Sequence, residues 1–202
     1  MPPEQRPIPR FVAEPPREGR PYGRWADSLA VHFLEACQQI DTDEDLGDPG
    51  DVVWFPDRTF AERTYIPATA PTSEGFEVFG FVSFVREPDA EDLEFWSRVE
   101  YTDETAEANP DWKLDLSDYE IGEWRGRETL TAKIALVWGV ALVRGGAVAT
   151  AELGPTTTDQ CEVVDARFTL VSLEEWTGDL LEVRLYDAKG GQLASESLYE
   201  EE

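Results

Sequence analysis

Thr129-Leu-Thr-Ala-Lys-Ile-Ala-Leu-Val-Trp-Gly-Val-Ala-Leu-Val-Arg-Gly-Gly-Ala-Val-Ala-Thr-Ala-Glu-Leu153 is the stretch on which the fold turns. Residues 134–143 carry no charge, Arg144-Gly145-Gly146 interrupts the run, and a second apolar segment follows at once. Paired glycines accept the positive φ of a tight turn, so the pattern predicts two long antiparallel strands joined as a hairpin at Gly145-Gly146. The first strand is apolar on both faces, which places it in the middle of a packed structure.

Outward from there the pattern stays β. Residues 52–55 read as a short strand stopped by Pro56, and 59–66 as another stopped by Pro67, because proline gives a ladder no N–H. Residues 68–74 read as a loop and 76–85 as a buried strand with aromatics and valines on both faces. Leu93, Phe95, Val99 and Tyr101 alternate with Glu94, Trp96, Arg98 and Glu100, the mark of a half-buried strand with one wet face. Residues 102–111 form an acidic loop holding the turn signal Asn109-Pro110, followed by weaker strand candidates at 113–116 and 119–124. Beyond the central hairpin, Gly154-Pro155 and three threonines read as a loop, 162–172 as a strand and 173–179 as a link. Leu181, Val183 and Leu185 alternate with Glu182, Arg184 and Tyr186, and a turn at 187–191 returns the chain as a second hairpin. Short sequential strands with such turns predict a mainly β fold, a single antiparallel β-sandwich or barrel-like domain over residues 22–202.

Two other segments precede the strands. Residues 1–21 hold seven of the 14 prolines, and Arg6, Arg10, Arg17 and Arg20 against Glu4, Glu14 and Glu18. That composition predicts an extended proline-rich arm with a net charge of +1. Residues 24–40 predict an amphipathic helix, with Trp25, Leu29, His32, Phe33, Ala36 and Ile40 on its apolar side.

The chain has 202 residues and a net charge of −26, from 43 acidic against 17 basic side chains. Removing the +1 of the arm leaves −27 on the remaining residues. Such a body repels nucleic-acid phosphates and anionic lipid, so neither is an expected partner. A basic protein, a second copy through the arm, or a divalent cation would be attracted. Two cysteines, Cys37 and Cys161, are too few for a disulfide framework or a zinc site. With the lack of an apolar leader in the proline-rich first residues, they point to the cytoplasm.

Chemistry is sparse in the pattern. Asp41, Asp43 and Asp45 open an acidic turn that resembles a calcium loop in its first three positions only, since Gly47 falls one place late and Val52 stands where a bidentate Glu belongs. His32 is the one histidine and lies on the apolar side of the helix. No phosphate loop, dinucleotide fingerprint or hydrolase elbow occurs. Trp96 shares its strand's polar face with Glu94 and Arg98, so it is the tryptophan expected to be exposed. The expectation is a non-enzymatic protein-interaction or assembly module, with the arm arginines Arg6, Arg10, Arg17 and Arg20 and the Trp96 ring as contact residues. The alternatives are a small-molecule or carbohydrate-binding β domain and, behind it, a carboxylate-based or calcium-assisted hydrolase.

Overall fold

The computed structural model describes residues 26–85, 94–125 and 131–199. Within them lie one helix, α1 (Ala26–Cys37), and thirteen strands. The first five are β1 (Val53–Trp54), β2 (Arg58–Phe60), β3 (Arg63–Pro71), β4 (Glu77–Val85) and β5 (Phe95–Thr102). The rest are β6 (Leu114–Arg125), β7 (Thr131–Ala141), β8 (Gly146–Leu153), β9 (Thr156–Glu162), β10 (Arg167–Leu173), β11 (Glu175–Trp176), β12 (Asp179–Asp187) and β13 (Gln192–Ser197). The expected arm, residue 24 and Trp25 lie outside the described residues.

All strand pairing is antiparallel and falls into three sheets. The first runs β1-β3-β4-β5 with β2 also on β3, the second β10-β7-β6, and the third β11-β12-β8-β9 with β13 also on β12. The mainly β, sandwich-like or barrel-like class is what the alternation predicts, and the three sheets curl as a half-barrel.

The central hairpin is corrected. β7 and β8 do not pair: β7 takes β6 and β10 as neighbours, while β8 takes β9 and β12. Residues 142–145 carry the chain from one sheet to another, and Gly145 (φ +91°) makes the corner. The physical reason is burial on two sides. β7 is the middle strand of its sheet, and Leu136, Val137 and Trp138 are wholly buried. An exposed hairpin would leave one of its apolar faces wet.

Other boundaries shift for local reasons. Pro67 does not stop a strand; it sits inside β3. Its carbonyl accepts a hydrogen bond from Phe55 N at 2.9 Å, so its proton-less nitrogen faces the same edge, at the break between β1 and β2. β3 then continues through Ala68 and Ala70, both wholly buried, where a loop was expected. The expected strand at 59–66 is instead a hairpin turned by Ala61 (φ 48°) and Glu62 (φ 66°). The expected strand at 162–172 is likewise divided by Asp165 and Ala166, both at positive φ. β6 is continuous from Leu114 to Arg125 with a bulge near Glu120. Gly154-Pro155 is only a turn, and the threonines after it belong to β9.

Buried apolar side chains gather in two clusters. In the smaller, Leu29 and Phe33 of α1 pack on Ile66, Val78, Val82 and Phe84 of the first sheet. In the larger, the other face of that sheet meets the second sheet, with Phe79 against Trp138 (6.3 Å between ring centroids) and Phe81 against Tyr119 (5.3 Å). The third sheet adds Ala149, Ala151, Leu181, Val183 and Leu185 to this cluster. Gly80 lets β4 and β5 approach: a Cβ there would stand 2.0 Å from the Arg98 carbonyl oxygen.

Candidate functional site

Side-chain alternation on β5 decides where the site forms. Phe95, Val99 and Tyr101 pack in the helix-side cluster. Trp96, Arg98, Glu100 and Thr102 therefore point the opposite way, toward β6. Register pairs these four with Ser83, Phe81, Phe79 and Glu77 of β4. The face expected to be wet is thus one wall of an open groove of about 720 Å³, and β6 supplies the other wall. Among the described residues β5 and β6 are the outer strands of their sheets, so the groove lies where the curl does not close.

Four rings line the groove: Phe79, Trp96, Trp112 and Tyr119. Trp96 is 44% exposed, as its place on the strand predicts. One ring contact is with Phe81, at 5.7 Å between centroids. The Arg98 guanidinium carbon lies 4.9 Å from the centre of the Trp96 ring, a cation–π contact.

Six acids share the lining with that one arginine: Glu77, Glu100, Glu104, Asp115, Asp118 and Glu120. Burial, with the charge of Asp115 beside it, pushes the Glu77 carboxyl up to about 7. Burial also raises Asp115. Asp118 is raised by burial too, against the opposing pull of a 2.8 Å hydrogen bond that Tyr199 Oη donates to it. These carboxylates have lost water and lack a positive partner of matching number, so a cation brought to them restores what burial removed.

The other expected site residues lie elsewhere. Asp41, Asp43 and Asp45 are exposed, and Asp45 Oδ1 accepts from Gly47 N at 3.3 Å. Among the described residues no group of three His, Cys, Asp or Glu side chains is placed to hold a metal ion, in this turn or in the groove. Gly47 has a different explanation from a calcium loop: its φ is +71°, and a Cβ would stand 2.2 Å from Ser73 Oγ. His32 is half-buried with its ring 5.0 Å from Phe95. Cys37 and Cys161 are both free thiols, pushed by burial to about 11 and about 12, so neither is poised as a nucleophile. Arg6, Arg10, Arg17 and Arg20 lie outside the described residues. Sequence reading missed Glu77 of β4, Trp112 just before β6, and Asp115 and Tyr119 of β6; the two sides meet only through tertiary structure.

Among the described residues no helix is long and apolar enough to cross a membrane. Compared with protein families, curated proteins and solved structures, the chain matches no family model, no curated protein and no solved structure.

Proposed function

We propose that the protein is a non-enzymatic recognition module whose groove between β5 and β6 takes an extended, arginine-bearing segment of a protein partner. The observation that carries this is the pairing of Glu77 and Asp115, two desolvated neighbouring carboxylates in a groove lined by four aromatic rings. Aromatic grooves suit extended, proline-containing chains, whose ordering cost is already low. Carboxylates accept a guanidinium through two parallel hydrogen bonds.

One feature favours this reading over a sugar-binding groove. A sugar would stack on an open ring face, whereas Arg98 already lies against Trp96.

The test is calorimetric and fluorescent titration of the full chain with an amidated hexa-arginine peptide. Binding needs Glu77 ionised, so affinity should fall about tenfold from pH 8 to pH 6. Glu77→Gln should flatten that dependence, and Trp96→Ala should weaken binding about 5- to 30-fold through lost packing against the bound chain. No heat and no fluorescence change at pH 8 would remove the proposal.

A further inference from the structure

The groove's own chain supplies a segment of matching chemistry. Residues 1–25 lie outside the described residues and carry Arg6, Arg10, Arg17, Arg20 and Arg24 with seven prolines. Prolines suit an aromatic groove and arginines suit its acids, so both halves of the lining find a counterpart in one stretch.

The point where the described chain begins favours the same pairing. α1 runs alongside β5: His32, midway along the helix, lies on Phe95, and beyond the C-terminal end of the helix Thr42 Oγ1 is 2.8 Å from Tyr101 Oη. Ala26 precedes His32 by about 9 Å of helix, at a rise of 1.5 Å per residue. The chain before Ala26 therefore leaves past the Trp96 end of β5, on the helix side of the sheet, and reaches the groove by rounding this outer strand. The groove follows β5 from Trp96 to Thr102, about 20 Å at strand spacing. Residues 18–25 give about 25 Å of chain to round the edge, and Arg10 to Arg17 then spans about 20 Å in extended polyproline form.

We propose that the arginine- and proline-bearing segment 1–25 seats in the groove of its own body and competes with any incoming partner. This rests on the recognition reading above and names the resident occupant. Tethering gives a short segment an effective concentration on the order of 1 mM, so even a weak self-contact holds the groove largely filled.

The experiment compares the full chain with a full-length variant carrying Arg6→Gln, Arg10→Gln, Arg17→Gln, Arg20→Gln and Arg24→Gln, using the amidated hexa-arginine peptide as probe. Mass in solution is measured for both proteins. If the segment occupies the groove, the variant binds the probe about tenfold or more tightly than the full chain, because the competitor is gone. Both proteins are then monomers. That gain in affinity shrinks when Trp96→Ala is placed in both proteins, whereas a gain from the five removed charges alone would persist and overturn the self-occupancy. Equal probe affinity in both overturns the self-occupancy and leaves the recognition reading standing. No binding by either protein removes both. A dimer in the full chain that the variant lacks overturns seating in the same chain, because the segment then fills a second copy's groove.

Discussion

Glu77 is the first residue of β4, half-buried and beside Asp115 of another sheet. Its carboxyl rises from 4.5 to about 7, first through burial and then through Asp115. A group that holds its proton more tightly when folded favours the fold at low pH. Below its ordinary value both states are protonated and no penalty exists. Between about 4.5 and 7 the unfolded chain ionises first, so this residue's contribution to stability declines as pH rises and is flat above. Glu77→Gln cannot ionise, so it should match the parent near pH 4.5 and exceed it at pH 8 by about 1–2 kcal/mol, after allowance for partial solvation. Urea unfolding at the two pH values reads this directly, and a difference independent of pH would refute the assignment. The residue was not legible as a site in the sequence: with 43 acids present, nothing local distinguishes Glu77 from the others. Trp96 was legible, because period-two alternation needs only its neighbours on one strand.

Strands could be read from periodicity, whereas their partners could not. β7 announced its burial through apolar residues on both faces, but its neighbours β6 and β10 are set by tertiary packing. The hidden hairpin turns have a second cause. Ala61, Glu62, Asp165, Ala166 and Thr177 all adopt positive φ, and in four of these five no glycine, asparagine or proline is adjacent to flag a turn. Each such residue costs about 1 kcal/mol or more, so surrounding contacts must hold the turn. One such set of contacts is the seam between β9 and β10. Asp159 Oδ2 accepts from Val171 N at 2.8 Å, standing in for a strand partner along the edge of β10. The same carboxylate pairs with Arg58 of β2, both side chains being almost wholly buried. Thr158 and Ser172 hydroxyls lie 2.7 Å apart beside it. Asp159→Ala leaves the arginine charge buried and unpaired, so it should cost about 3–5 kcal/mol. Replacing both partners, Arg58→Met with Asp159→Leu, should recover most of that loss. Chemical unfolding of the three proteins checks it; a loss under about 1 kcal/mol in the single variant would show that the seam is held elsewhere.

For the whole molecule, a helix covers one face of the first sheet and the second sheet covers the other, so the polar row of β5 is folded inward over the groove. That arrangement explains why a stretch read as wet holds the candidate site. It also concentrates negative charge on a chain already at −26. Like charges held in a compact fold repel more than they do in an expanded chain, so folding works against this field. Salt weakens the repulsion, since the screening length falls from about 30 Å at 0.01 M to about 8 Å at 0.15 M. The melting temperature at pH 8 should therefore rise between these two salt concentrations, with sodium chloride as the salt. Binding of the hexa-arginine peptide should weaken over the same range, because the field that opposes folding attracts the ligand. Glu77→Gln should keep the salt dependence of melting nearly intact, because it removes one charge from a field made by 43 acids. Scanning calorimetry in the two salts measures the first effect and titration the second. A melting temperature that falls with salt while peptide binding weakens would show that attractive ion pairs, among them Arg184 with Glu152 and Glu182, outweigh the net repulsion in the folded state.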